Sequence, residues 1–190
     1  MNVLRERDRD AAAERILDDE IERLEVAQLV TADRTLGEVL KGVGALSAAL
    51  LRDGALAANL RELIIVRVGY LAASAYEVVQ HRSLAERLGV SPAKLDALAY
   101  VAPPGLEANE AAAIAFVDEL IARNRTSDAV LNEVRRHFSD GQVLEIIMVT
   151  GNWWTLARML ETAGVSLDEG KIGDHGVDKD GPEQPASSAV

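Results

Sequence analysis

The sequence of 190 residues contains no cysteine. Disulfide bonds, thiol catalysis, thiolate-bound zinc and iron–sulfur clusters are therefore all excluded. Aromatic residues make up only 4% of the chain and there are only 5 prolines, whereas alanine and leucine are abundant. Strong helix formers with few helix breakers predict an all-α protein.

Positive charge is also scarce, because 20 Lys and Arg residues face 31 Asp and Glu residues and the net charge is −11. Nucleic acids and anionic membrane surfaces both attract basic proteins, so we expect neither as a partner. No segment approaches the roughly 20 apolar residues that span a bilayer. Residues 3–25 are densely charged and do not resemble a signal peptide. We therefore predict a cytoplasmic protein.

The pattern of apolar and helix-breaking residues predicts one helical domain, residues 1–167, followed by a polar tail, residues 168–190. The domain begins with an irregular amphipathic helix over residues 1–32, which could pack on the core or on a neighbouring subunit. The tail is rich in Gly, Asp and Pro, and its final third is expected to be disordered. The central part is predicted to form helices over residues 35–51, 92–101, 107–123, 127–138 and 140–163, together with a helical stretch without proline over residues 56–88.

Two β-branched runs in this central part could also be read as buried strands. They are Leu63-Ile64-Ile65-Val66 and Ile146-Ile147-Met148-Val149. Both lie inside long stretches that lack turn signals, and strands are short. We therefore predict that both runs are helical.

Ser74, Glu77 and His81 form the most informative polar pattern in the chain. On an α-helix they fall at about 0°, 300° and 340°, so they share one face. A carboxylate four residues before an imidazole can accept its N–H, fix its tautomer and raise its pKa. Such pairs are also common on ordinary helix surfaces. This pair, however, follows the most apolar region of the chain, which favours a functional site.

Glu62 belongs to the same predicted site only if the chain reverses direction. Nineteen residues of continuous helix would place Glu62 about 28 Å from His81. The site therefore demands a break in the helical stretch between Gly69 and Ser74.

These residues also carry a resemblance to a known family. The motifs are Leu60-Arg61-Glu62-Leu63, Tyr76-Glu77-x3-His81 and Ala85-x3-Gly89-Val90-Ser91. Over residues 37–165 the chain resembles the carboxymuconolactone decarboxylase/alkylhydroperoxidase D-like family. The resemblance implies an all-α fold, self-association into trimers or hexamers, and a cavity that a neighbouring subunit often lines.

Redox members of that family carry a C-x-x-C pair where this chain has Ser74 and Glu77. Peroxide reduction by a thiol relay is therefore excluded, and the chain is closer to the decarboxylase side of the family. Loss of CO₂ from a small keto or lactone acid needs no cofactor, because the product enolate is delocalised. His81 is the predicted acid/base, which Glu77 and Glu62 would orient and keep protonatable.

The predicted substrate-binding residues are Ser74, Tyr76, Trp153 and Arg158. Ser74 or Tyr76 could donate a hydrogen bond to a substrate oxygen, although each could equally be a packed helix residue. Arg61, Arg67 or Arg158 could bind a carboxylate. Arg158 is preferred because its helix also carries Trp153 and Trp154.

Three other readings of the same residues stay open. The first is a hydrolase or isomerase, because water activation also needs a tuned histidine. The second is a non-catalytic oligomer in which the cluster is a buried polar network that holds subunits together. The third is a metal site formed by Glu62, Glu77 and His81, which we disfavour because a single histidine is available and the resembling family is metal-free.

Overall fold

The structure, a computed structural model, describes residues 34–163. This part of the chain forms seven helices: α1 Arg34–Arg52, α2 Ala58–Ala72, α3 Ala75–Arg87, α4 Pro92–Ala97, α5 Ala108–Arg123, α6 Asp128–Val134 and α7 Asp140–Ala163. No strand occurs between residues 34 and 163, so the all-α prediction is confirmed. None of these helices is long and apolar enough to cross a membrane. The predicted helix over residues 1–32 and the tail over residues 168–190 lie outside the described residues.

Two helices end earlier than the sequence predicted. The helix expected to reach residue 101 ends at Ala97, and the one expected to reach residue 138 ends at Val134. Beyond each end, backbone N–H groups bond to carbonyls three residues back, as from Tyr100 to Ala97 and from His137 to Val134. These are tight turns of the 3₁₀ type that continue the helix direction briefly.

The central element of the fold is α2, which packs against α3, α5 and α7. Every residue from 60 to 69 is buried. A helix that is surrounded by other helices needs apolar residues on all sides rather than on one face. This explains why the β-branched run Leu63-Ile64-Ile65-Val66 is helical, as predicted. The second run also lies within a helix, α7.

The chain reverses direction between α2 and α3, which confirms the predicted break. Ala73 adopts the left-handed conformation with φ 54°, and the N–H of Ser74 donates to the carbonyl of Gly69 at 3.0 Å. This bond closes the end of α2 in the manner of a Schellman motif. Ser74 then begins α3, because its hydroxyl accepts a hydrogen bond from the N–H of Glu77 at 3.5 Å.

Gly69 allows the two helices of this hairpin to approach closely. A Cβ atom at Gly69 would lie 2.9 Å from Cγ2 of Val78, 3.1 Å from its backbone nitrogen and 3.3 Å from Cβ of Glu77. Only glycine leaves room for this contact. The hairpin therefore brings Glu62 of α2 beside His81 of α3.

Candidate active site

The imidazole of His81 lies between two carboxylates from two different helices. Its Nδ1 is 2.7 Å from Oε2 of Glu62, and its Nε2 is 3.4 Å from Oε2 of Glu77. The side chains of His81 and Glu62 are 1% and 0% exposed, whereas that of Glu77 is 3% exposed. The structure thus brings together the three predicted catalytic residues. The short contact is made by Glu62, not by Glu77 four residues before the ring.

Trp153 of α7 completes this network with a contact that the sequence did not reveal. Its Nε1–H donates to Nε2 of His81 at 2.7 Å, and the two rings stand nearly perpendicular at 86°. The sequence predicted Trp153 as a substrate-binding residue. The indole is buried against His81 and acts on the ring directly.

The hydrogen bonds assign a tautomer to His81 in this geometry. Nε2 can accept the indole N–H only if it carries a lone pair, so the proton of the neutral ring lies on Nδ1. That proton is donated to Glu62. Glu77 has the opposite requirement, because its carboxylate favours an N–H on Nε2. Trp153 and Glu77 therefore compete for the same ring nitrogen.

The charges around His81 favour its protonated form. Burial by itself lowers the pKa of His81, but the negative charges of Glu62 and Glu77 and their hydrogen bonds outweigh burial and raise the pKa to about 10. The indole of Trp153 acts in the other direction, because its hydrogen bond stabilises the neutral ring. We conclude that the pKa of His81 is raised, and that Trp153 limits the rise.

A second Glu–His pair shows how unusual this environment is. Glu133 precedes His137 by four residues, and its carboxylate lies 3.4 Å from Nε2 of that ring. The spacing and distance match those of Glu77 and His81. Glu133, however, is 48% exposed, so water screens its charge. The pair at His137 is an ordinary surface pair, and burial distinguishes the pair at His81.

The geometry does not favour the metal site that the sequence left open. Glu62 approaches Nδ1 and Glu77 approaches Nε2, so the two carboxylates lie on opposite edges of the imidazole ring. They cannot converge with one ring nitrogen on a single ion. Between residues 34 and 163, no group of three or more His, Asp and Glu side chains has the arrangement to hold a metal ion.

The remaining predicted site residues differ in their distance from the network. Ser74 is buried and caps α3 one turn before Glu77. Tyr76 is half-buried in the first turn of α3. Arg158 is exposed, and its guanidinium carbon lies 4.0 Å from the ring centroid of Trp154. Ser74 therefore lies within hydrogen-bond distance of the backbone N–H of Glu77, whereas Arg158 stacks on Trp154 at the surface.

This all-α bundle belongs to the AhpD-like class of folds. Within it, residues 37–119 match the model of the carboxymuconolactone decarboxylase family. The match covers 83 of the 190 residues, and together with the fold it supports the resemblance to the carboxymuconolactone decarboxylase/AhpD-like family that the sequence motifs indicated. Among curated proteins, none matches the chain significantly.

Three solved structures share this fold. The first is a protein of unknown function from Agrobacterium tumefaciens, which has been related to the antioxidant defence protein AhpD. It is 23% identical with a TM-score of 0.64, and the similarity covers 68% of this chain and 90% of the Agrobacterium protein. The second is an uncharacterized peroxidase-related protein from Silicibacter sp. TM1040, which is 21% identical with a TM-score of 0.65. The similarity covers 72% of this chain and 73% of the Silicibacter protein. The third is an uncharacterized peroxidase-related protein with an alkylhydroperoxidase AhpD core from Ralstonia eutropha JMP134. It is 23% identical with a TM-score of 0.65, and the similarity covers 80% of this chain and 87% of the Ralstonia protein. At these identities the similarity establishes the fold alone.

Proposed function

We propose that the protein is a cofactor-free decarboxylase-like lyase that transfers a proton through His81 and Glu77 to a small keto or lactone acid, while Glu62 orients the ring of His81. The observation that carries the proposal is the buried ring of His81 between two carboxylates. A buried histidine flanked by opposite charges is a typical proton-transfer group. Because the chain has no cysteine, thiol chemistry is excluded at this site, and acid–base chemistry is the activity that we propose for it.

The proposed reaction is balanced without an oxidant or reductant. The bond between the substrate carbon and its carboxylate breaks, CO₂ leaves, and the electron pair is delocalised onto the carbonyl oxygen as an enolate. The network then delivers one proton to that carbon and recovers one from water. Hydrogen-bond donors near the oxygen would stabilise the enolate, and the buried hydroxyl of Ser74 is our candidate for this role.

Within this mechanism, Glu77 is the group that we expect to meet the substrate. Both nitrogens of His81 are engaged, one by Glu62 and one by Trp153. Glu77 makes only a 3.4 Å contact with the ring, longer than the 2.7 Å contacts of Glu62 and Trp153, so its carboxylate is the least tightly held of the three partners. His81 would therefore pass the proton to or from Glu77, and Glu62 would hold the ring in position.

A direct test is the release of CO₂ from a panel of small β-keto acids and lactone acids. We expect Glu77→Gln and His81→Asn to lower kcat by a factor on the order of 100 or more, because general acid–base groups contribute about that much. Glu133→Gln is the matched control, since it removes a carboxylate of the same spacing from an exposed pair. Equal activity of the wild type and Glu77→Gln would contradict the proposed mechanism.

The burial of the network also favours a second candidate function, a non-catalytic protein in which these residues hold the fold together. All three side chains are at most 3% exposed. This reading predicts that no acid is turned over and that His81→Asn lowers only the stability. Turnover that depends on Glu77 in a well-folded variant separates the two.

Self-association is part of the proposal because the family resemblance implies trimers or hexamers. One face of α7 supports it. Leu144, Ile147 and Met148 lie at spacings of three and four residues, so they share a face, and they are 63%, 36% and 47% exposed. An apolar stripe of this kind on a helix is typical of a surface that a partner covers.

A further inference from the structure

Two buried arginines on α2 differ in what their side chains contact. Arg67 donates from Nε and Nη2 to the two carboxylate oxygens of Asp118 at 2.7 and 2.8 Å. Its Nη1 donates to the carbonyls of Leu98 and Tyr100. The edge of the guanidinium formed by Nε and Nη2 is thus filled by one carboxylate, in the bidentate geometry that arginine favours.

The same edge of Arg61 is empty. Arg61 is only 2% exposed, and its Nε and Nη2 are fully buried without a hydrogen-bond partner among the residues that the structure describes. The nearest carboxylate oxygen, Oε1 of Glu62, is 3.7 Å from Nε, which is too long for a hydrogen bond. Within residues 34–163, that oxygen also has no hydrogen-bond donor. Its neighbour Oε2 holds His81, so the empty edge lies beside the proton-transfer network.

An empty edge on a buried cation destabilises the fold. Burial lowers the pKa of Arg61, and the charges of Glu62 and Glu145, together with the polar contact to Glu62, partly offset this effect. Arginine nevertheless stays protonated in proteins. Glu145 satisfies other groups, because its oxygens accept hydrogen bonds from the N–H groups of Ala55 and Leu56. A second carboxylate, supplied from outside the chain, would satisfy the two donors as Asp118 satisfies those of Arg67.

We propose that the Nε and Nη2 edge of Arg61 binds a carboxylate of the substrate and thereby positions the molecule beside Glu62 and His81. This inference rests on the proposed function for its choice of ligand, although binding can be measured without turnover. A bidentate ion pair stabilises a carboxylate and would slow its loss as CO₂. Arg61 therefore holds a carboxylate that the product retains.

The competing explanation is an internal ion pair. A small rotation of Glu62 would bring its Oε1 within hydrogen-bond distance of Arg61, and no ligand would then be needed. In that case Arg61→Met would leave Glu62 buried without its charge partner and would lower the stability strongly. In our reading, Arg61→Met removes an unsatisfied cation and leaves the stability equal or higher. Arg67→Met should be destabilising in either case, because Asp118 loses its partner.

The test is a calorimetric and NMR titration of the full-length protein with acetate, and with acetamide as the neutral analogue. We expect acetate to bind saturably and acetamide not to bind. Arg61→Lys keeps the charge but loses the bidentate edge, so its affinity for acetate should fall at least about tenfold. Arg61→Met should abolish binding. Arg136→Lys is the matched control, because Arg136 is exposed and pairs with Glu133.

The outcomes separate this inference from the proposed reaction. No saturable binding of acetate, or equal affinity in the wild type and Arg61→Lys, would overturn the assignment of Arg61. Loss of affinity in Arg158→Lys instead would transfer the role to Arg158 and also overturn it. Acetate binding that depends on Arg61, together with no turnover of any acid, would support the binding site and contradict the decarboxylase.

Discussion

Nε1 of Trp153 and Nε2 of His81 lie 2.7 Å apart, so the indole N–H and the imidazole lone pair form a buried hydrogen bond between α7 and α3. The contact joins residues 72 positions apart in the chain. Protonation of Nε2 would replace this attraction with the repulsion of two N–H groups. The position of Trp153 and the charge of His81 are therefore coupled.

We predict that Trp153→Phe raises the pKa of His81 by up to about one pH unit. The hydrogen bond that favours the neutral ring is worth about 1 kcal/mol. The same change should lower the free energy of unfolding by about 1–3 kcal/mol through lost packing. The ¹⁵N chemical shifts of the His81 ring report both its pKa and its tautomer. Trp154→Phe is the control, and an equal His81 pKa in wild type and Trp153→Phe would refute the coupling.

The raised pKa of His81 predicts a pH dependence of stability. The ordinary histidine pKa is 6.5, and in the folded protein it is raised to about 10. The native state therefore binds this proton more tightly than the unfolded state does. Protonated His81 therefore stabilises the folded protein fully below about pH 6.5, and this contribution to the free energy of unfolding is lost as the pH rises towards 10.

Urea denaturation of the wild type and of His81→Asn between pH 6 and 10 measures this effect. The difference in the free energy of unfolding should shrink with rising pH, with a slope of up to about 1.4 kcal/mol per pH unit. Groups that do not contact His81 titrate alike in both proteins and cancel in the difference. A difference that is constant across the range would show that His81 does not carry the predicted proton.

The hairpin depends on the missing side chain of Gly69. We predict that Gly69→Ala lowers the free energy of unfolding by about 1–3 kcal/mol, because its methyl group would press on the backbone of Val78, and overpacking costs about that much. It should also separate Glu62 from His81 and shift the His81 pKa towards its ordinary value. Gly151→Ala is the matched control on α7, where a Cβ meets no atom within 4 Å.

The control should stabilise the protein by about 0.5–1 kcal/mol, since alanine is the better helix former. Thermal unfolding of both variants decides the question. A Gly69→Ala variant as stable as Gly151→Ala would mean that α2 and α3 can separate at no cost.

The exposed face of α7 predicts the behaviour of the protein in solution. If Leu144, Ile147 and Met148 are covered by another copy, Leu144→Lys should shift the protein towards monomers in light scattering or analytical ultracentrifugation. Val101→Lys is the control, since Val101 is 93% exposed and lies in a loop outside α7. A wild type that is monomeric at all concentrations would contradict the predicted trimer or hexamer.

The helices and the helix break could be predicted because their causes are local. Gly, Pro and Ser mark helix ends within a few residues, and the demand that Glu62 reach His81 located the reversal between Gly69 and Ser74. The partners of His81 could be predicted only in part. Spacing within one helix pointed to Glu77, whereas the shorter contact to Glu62 depends on how the hairpin packs.

The role of Trp153 could not be read from the sequence, because it depends on how α7 docks. The same holds for the arginines. The sequence preferred Arg158 for its neighbouring tryptophans. Only the structure shows that Asp118 fills the edge of Arg67 and that Arg61 has no such partner between residues 34 and 163. Contacts between distant segments carry no periodic signal.

The reversal at Ala73 also bears on the order in which the protein folds. Glu62 and His81 lie 19 positions apart on one hairpin, so they can meet after the closure of a short loop. Trp153 reaches the ring only when α7 docks, and such non-local contacts form slowly. We therefore expect the carboxylate–imidazole pair to form early, in an open and hydrated hairpin, and the indole to seal it from water in a later step.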